Sequence, residues 1–278
     1  MRTTELYNFI KSRHDIYERR KVGQKKPWTE DKILQSFRFC NMYRELDTVT
    51  EWIRENWRKP HRENPDLWFA MMAARLFNLP STLEYIGFPV ILDISLKARL
   101  HELEAKGKVF NSAYIVSTNG RAMNKIDYLW QDVICPAWER RAEIRPKAGD
   151  TLASFAKRVQ SLNGMAGFMT GQVVCDTKYV EPLRGASDWW TWAVSGPGSR
   201  RGLNRVMGWN KDAPWREIEW HRCLMVLSDE LAPLMKIMPS LHSQDLQNCL
   251  CEFDKYERVR LGEGRPKNTY PGGGIWKS

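Results

Sequence analysis

Apolar residues return every three to four positions along most of this 278-residue chain, and that period is its strongest constraint. A stripe at helical spacing has to be buried against another helix, so the chain reads as packed helices rather than as a sheet. The period predicts a helix starting in Pro27-Trp28-Thr29-Glu30-Asp31, with Thr29 as cap and two acids at the positive end of the dipole. It continues through Phe39, Met42, Leu46, Val49 and Ile53, and residues 59–65 break it. Further helices are predicted at 68–77, 126–138, 151–162, 215–238 and 245–260, with a capped start at Pro80-Ser81-Thr82-Leu83-Glu84. Residues 196–202 read as a loop, and residues 111–118 (NSAYIVST), leading into the Asn119-Gly120 turn, read as a short strand or hairpin. The expected fold class is mainly α with at most a short β-hairpin. Residues 1–261 are expected to form one helical catalytic domain, divisible at most into two helical lobes, and 262–278 a basic Gly/Pro-rich tail.

Composition narrows the function classes. No stretch approaches the roughly 20 apolar residues of a membrane span; the best, 67–79, is cut by Arg75. Residues 1–20 carry charges throughout and lack a signal-peptide core, so a cytoplasmic protein without a membrane partner is expected. Cys40, Cys135, Cys175 and Cys223 are scattered, Cys249 and Cys251 stand two apart, and no C-x2-C pair or zinc spacing with histidine occurs. Cys40, Cys175 and Cys251 fall in apolar helical contexts and read as structural thiols. The formal net charge of +10 points to a polyanion, because neutralising phosphates releases counterions. Thirteen tryptophans interleaved with Lys and Arg add surfaces on which nucleobases can stack.

Five constellations carry usable chemistry. In residues 162–171 (LNGMAGFMTG), Gly164 and Gly167 permit a tight turn that presents backbone N–H groups at the next helix start, a geometry suited to a DNA phosphate. An ordinary interhelix turn would have the same pattern. Behind it Gln172 and Asp176, four apart, share a helical face, and Asp188 follows in the run GASDWW as an acid or a helix N-cap. Gly196, Gly198, Ser199, Arg200 and Arg201 combine small residues with two phosphate-binding side chains, but no G-x4-G-K-[ST] loop occurs in this sequence. Arg38, Asn41 and Glu45 would lie on one polar stripe of the first predicted helix, beside Tyr43 and Arg44. Asn with Arg on such a stripe suits an internal network or an anion site. Asp245, Asn248, Glu252 and Lys255 form the polar face of the last helix, opposite Leu246, Cys249, Phe253 and Tyr256. Acids there serve as a base, a metal ligand or a solvated face.

The 162–171 turn resembles the helix-hairpin-helix of the base-excision DNA glycosylases, with one residue more than their L-P-G-x-G. Five collinear segments between Pro27 and Tyr270 carry a wider resemblance: PWTEDKILQSFRFCNMYRELD, NSAYIVSTNG, LNGMAGFMTGQVVCDTKY, DWWTWAVSGPGSRRGLNR and LCEFDKYERVRLGEGRPKNTY. They resemble a phage family of thymine-hypermodification proteins. That family includes the 5-hydroxymethyluracil DNA kinase helical domain and the α-glutamyl/putrescinyl-thymine pyrophosphorylases, also called amino acid:DNA transferases.

The resemblance implies a DNA-glycosylase-like helix-hairpin-helix fold acting on double-stranded DNA that carries modified thymine, in the host cytoplasm. The reaction it implies is displacement of pyrophosphate from 5-(pyrophosphoryloxymethyl)uracil by an amine, such as an amino acid or polyamine. The missing P-loop favours this transferase over a 5-hydroxymethyluracil DNA kinase or kinase-accessory protein. A DNA glycosylase or a non-catalytic DNA-binding module is the third reading. Asp188, by analogy with the glycosylase aspartate, then Asp176 and Glu252 are the candidate bases. Arg38, Asn41, Arg44, Lys125, Gly164, Gly167, Gly196, Gly198, Ser199, Arg200, Arg201 and Lys255 are the candidate phosphate and DNA ligands. Tyr43, Glu45, Gln172 and Asn248 are the candidate pocket residues, around a flipped base. Magnesium (Mg2+) is admitted because pyrophosphate chemistry often uses it, although no ligand spacing demands it.

Overall fold

A computed structural model of the chain describes residues 1–89, 91–111, 117–236, 238–266 and 269–270. Helices dominate, as the apolar period requires. Among the described residues there is no strand, only an isolated bridge between Phe37 and Thr269. The predicted strand at 111–118 lies largely outside the described residues.

Contacts divide the chain into two units, one made of Met1–Asp47 with Ala193–Ser278, the other of Thr48–Trp192. The first unit begins with α1 (Thr3–Lys21) and α2 (Lys32–Ser36). The second runs through α3 (Thr48–Ile53), α4 (Leu67–Phe77), α5 (Pro80–Ile86), α6 (Ile94–Lys106) and α7 (Lys125–Tyr128). It continues with α8 (Cys135–Glu139), α9 (Arg141–Ile144), α10 (Leu152–Gln160) and α11 (Gly167–Thr177). The first unit resumes with α12 (Pro197–Met207), α13 (Glu217–Leu231) and α14 (Ser243–Arg260).

In the first unit Leu6, Phe9 and Ile10 of α1 meet Leu203 and Val206 of α12, Trp220 and Leu224 of α13, and Leu246, Leu250 and Phe253 of α14 in one buried cluster. Two expectations change here. The helix start sits two residues later than read: Asp31, not Thr29, caps α2 by accepting from the backbone N–H of Ile33 and Leu34. Residues 196–202 are not a loop but the N-terminal cap and first turns of α12. Gly196 occupies the cap and Pro197 the first helical position, where its missing N–H costs nothing, while Ser199 Oγ accepts from Gly196 N at 2.9 Å. The small residues serve the approach of α12 to α14: a Cβ at Gly198 would land on Cys251 Sγ, and one at Gly202 on the carbonyl of Leu250. The long α1, absent from the predicted helices, ends on Arg19, Arg20 and Lys21 in its last turn, where cations complement the dipole.

In the second unit α4 is buried all round and packs with α11 and α10 through Trp68, Phe69, Phe155, Val173 and Val174. Residues 161–166 turn between α10 and α11, and Gly164 takes φ +75 with Val133 against it, so a side chain there would be strained and crowded.

Candidate functional site

Residues 37–47 were expected to be helical, and most of them are not. Phe37 is extended at the C-cap of α2, and only a three-residue turn, Arg44–Leu46, interrupts the strap that follows. Phe37, Phe39, Met42 and Tyr43 are buried nonetheless, which is why the segment shows a helix-like spacing without being a helix. The cause is competition for its backbone groups: buried side chains take the hydrogen bonds that a helix would have made. Arg13 of α1 donates to Phe39 O through Nε (3.1 Å) and Nη2 (2.9 Å). Glu252 Oε2 accepts from Cys40 N at 3.0 Å, and Asn248 Nδ2 donates to Asn41 O at 2.9 Å. Asp245 Oδ1 accepts from Arg44 N at 2.9 Å, and Asp47 Oδ1 from Asn41 N at 2.9 Å.

The polar face expected on the last helix is therefore real and is turned inward. Asp245 and Glu252 are buried, and His242 caps α14 by accepting from Asp245 N. Asn41 joins the strap to α1, since its Oδ1 accepts from Arg13 at 2.8 Å. Tyr43 closes the far end, donating to Pro239 O at 2.7 Å. The stripe of Arg38, Asn41 and Glu45 does not form, because there is no helix to carry it.

This arrangement perturbs several titrating groups. Burial pushes the Asp47 carboxyl up to about 6, although Asn41 N–H and the Arg44 charge pull against it; the nearby Glu252 charge adds to the rise. Burial alone would lower Lys255, but its ion pair with Glu252 holds the ammonium above its ordinary range. Cys40 is neither helical nor buried as a residue, contrary to the sequence reading. Its thiol is held well above the ordinary value by the Glu252 charge and then by desolvation, so it is a neutral thiol and a poor nucleophile. Arg13 keeps one buried donor, Nη1, without a partner among the described residues. Asp47 and Arg13 were not singled out from the sequence; Asp47 closes the quoted strap motif, whereas nothing in α1 marks Arg13.

The other expected site residues are placed as follows. Arg201 Nε and Arg205 Nε both donate to the buried Asp254, at 3.0 and 2.9 Å, and Arg200 pairs with Glu217 at 2.8 Å. Arg38 is exposed and lies over the Tyr270 ring. Glu45 sits in the Arg44–Leu46 turn. In the second unit Asp176 is fully buried and bound by Arg75 through two contacts, 2.5 and 2.7 Å. Asp188 accepts from the N–H groups of Leu152 (2.7 Å) and Ala153 (3.0 Å), at the N-terminus of α10. Gly167 is the first residue of α11, which also carries Gln172. Lys125 opens α7 with its ammonium 3.9 Å from the centre of the Phe110 ring, and burial lowers its pKa. Among the described residues no three His, Cys, Asp or Glu side chains converge as a metal site.

Fold and site together define a basic helical protein whose first unit is organised round a buried network of acids and cations. The chain belongs to the family of the 5-hmdU DNA kinase helical domain, which matches residues 2–265. It is also similar to a 5-hmdU DNA kinase of Bacillus phage SP10, 26% identical over 219 residues, which make up 70% of this chain and 34% of the relative. The chain thus spans about a third of that relative's length. These matches bear out the resemblance to the thymine-hypermodification family. No solved structure matches the chain.

Proposed function

We propose that this chain decorates thymine-derived bases in phage DNA, displacing pyrophosphate from 5-(pyrophosphoryloxymethyl)uracil with an amine, in the host cytoplasm. The observation that carries the reading is the juxtaposition of Asp47, raised to about 6, with Glu252, Lys255 and Arg13 across one strap. A new C–N bond forms at the exocyclic methylene, the C–O bond to pyrophosphate breaks, and pyrophosphate leaves with the electron pair. An amine attacks only as its free base, so one proton must pass to a carboxylate whose pKa lies near the working pH. Asp47 meets that requirement; Glu252, whose oxygens are held by Cys40 N–H and Lys255, acts on it through its charge. Lys255, Arg13 and Arg44 supply positive charge for the departing pyrophosphate. We place the base here rather than at Asp188, whose two oxygens both accept from the start of α10, or at Asp176, whose oxygens are held by Arg75.

A second reading rests on the kinase relative: a helical domain serving phosphorylation of 5-hydroxymethyluracil with ATP. The deciding experiment incubates the protein with hydroxymethyluracil DNA and with its pyrophosphorylated form, with an amine pool and with or without ATP and Mg2+. The DNA is then digested for nucleoside mass analysis. An amine adduct confined to pyrophosphorylated DNA supports the transferase. A phosphate adduct that requires ATP moves the function to the kinase reading. Released free base identifies a glycosylase, and unaltered DNA that is nonetheless bound leaves a DNA-binding module. In the transferase outcome, Asp47→Asn lowers the rate by about 10²–10⁴-fold, the usual contribution of acid–base catalysis.

A further inference from the structure

Between positions 19 and 38 the chain carries seven Lys and Arg residues against two acids, Glu30 and Asp31. All seven cations are exposed. Asp31 is turned inward, capping α2 and accepting from Tyr256 Oη at 2.6 Å, so it offers little neutralisation outside. The cations sit around an aromatic pair: Trp28 and Tyr270 pack edge to face with centroids 5.8 Å apart. The Arg20 guanidinium lies 5.3 Å from the Trp28 ring centre and 5.8 Å from that of Tyr270. Lys26 Nζ lies 5.2 and 5.3 Å from the same two rings, and Arg38 lies 5.4 Å from Tyr270. Trp28 is anchored from beneath, its indole N–H donating to Gln24 O at 2.7 Å, while Arg19 donates to Trp28 O at 2.7 Å.

Rings that hold cations by their faces order these exposed side chains at the surface, where a ligand can reach them. Seven cations crowded against one outward carboxylate, Glu30, repel one another, and a polyanion relieves that repulsion. We propose that this face, from the end of α1 through Trp28 to Tyr270, is a contact for the sugar-phosphate backbone of DNA, with Arg20, Lys25 and Lys26 on phosphates. The proposal rests on the chain acting on DNA. DNA fits better than a lipid surface, because an interfacial segment needs a continuous apolar face, and Val22 is the exposed large aliphatic residue of this stretch.

The test is DNA binding by fluorescence anisotropy on a labelled hydroxymethyluracil duplex across a salt series. The wild type is compared with the triple variant Arg20→Gln, Lys25→Gln, Lys26→Gln. A control with equal charge loss carries Lys106→Gln, Lys108→Gln and Lys147→Gln, all exposed in the second unit. Circular dichroism melts confirm that each variant is folded, and Arg20→Lys serves as a milder variant that keeps the charge. Each lost phosphate contact removes about 0.9 from the slope of log K against log salt, so the first triple is expected to flatten it by about 2.7. At low salt it should also bind at least about tenfold more weakly, whereas the control triple and Arg20→Lys keep the wild-type slope. Equal flattening by both triples, or no change in the first, overturns the proposal while leaving the enzyme reading intact. So does patch-dependent binding to phosphatidylserine vesicles combined with patch-independent DNA binding. Wild type that binds no DNA even at low salt refutes the proposed function as well as the patch.

Discussion

At the scale of single residues, Asp47 is a carboxyl whose proton the fold controls. Its folded pKa is raised to about 6 from an ordinary 3.8, so between those values the folded chain holds a proton that the unfolded chain has released. Stability linked to this group is fully present below the unfolded value and is lost as pH rises through about 6. Asp47→Asn mimics the protonated form and keeps the acceptor for Asn41 N–H. Its denaturant-measured stability relative to wild type is therefore expected to improve by ~1–3 kcal/mol from pH 4 to pH 7. A constant difference across that range would show that Asp47 is an ordinary carboxylate. In the transferase assay the wild-type rate should climb with pH about a midpoint near 6, and the Asn variant should lose that limb along with most of the rate. Asp176 tests a different physics. Its pair with Arg75 is buried on both sides, 0% and 1% exposed, so Asp176→Ala leaves an uncompensated guanidinium in the core. That costs about 3–5 kcal/mol, readable as a shift of the urea midpoint; a shift below about 1 kcal/mol would mean that Arg75 finds another partner.

At the scale of elements, Gly202 sets helix propensity against packing. Propensity alone makes Gly→Ala in a helix worth about 1 kcal/mol of stabilisation. At Gly202 the added Cβ meets the Leu250 carbonyl of α14, and backbone cannot swing aside as a flexible side chain does. Gly202→Ala is thus expected to destabilise by ~1–3 kcal/mol or more, and a stabilised variant would refute the tight α12–α14 contact. Asp188→Ala removes two acceptors from the N-terminus of α10 and should cost about 0.5–2 kcal/mol. If activity falls no further than the folded fraction, Asp188 acts as a cap; a collapse of the rate in fully folded protein returns the base to it. These elements also show what was legible in the chain. The α14 face could be read because its period and its helix coincide, and Asn248 and Glu252 were found with it. The strap at 37–47 could not, since Glu252 and Asn248 hold its backbone from more than 200 positions away. The start of α12 was legible in principle: Pro197 after Gly196 with Ser199 two positions later is a helix-opening pattern, masked by a Gly/Ser-rich composition.

At the scale of the molecule, the mainly helical class followed from periodicity alone, but the division of the chain did not. Thr48–Trp192 stands inside the sequence of the first unit, so that unit is assembled from Met1–Asp47 and the chain after Trp192. The first crossing point carries no Gly, Pro or Ser-rich linker, since the α3 helix begins immediately after Asp47; the second is followed by Ser195-Gly196-Pro197-Gly198-Ser199, a run that looks like a linker but opens α12. The two buried clusters obey the division. Every residue of the one containing Trp68, Phe69, Phe155 and Val174 comes from within 48–192, and every residue of the one containing Phe9, Trp220 and Phe253 comes from outside it. A segment that supplies all of its own core needs no other part of the chain to bury its apolar stripes, and at this length it buries about two thirds of its unfolded surface. Residues 48–192 produced alone are therefore expected to be helical and to unfold in urea with one sigmoidal transition by far-UV circular dichroism. Residues 1–47 alone should remain unfolded, because Leu6, Phe9 and Ile10 find their partners on α12, α13 and α14. A 48–192 fragment that binds a hydrophobic dye and melts without cooperativity would show that its core is completed from outside, and that the unit is not a folding unit.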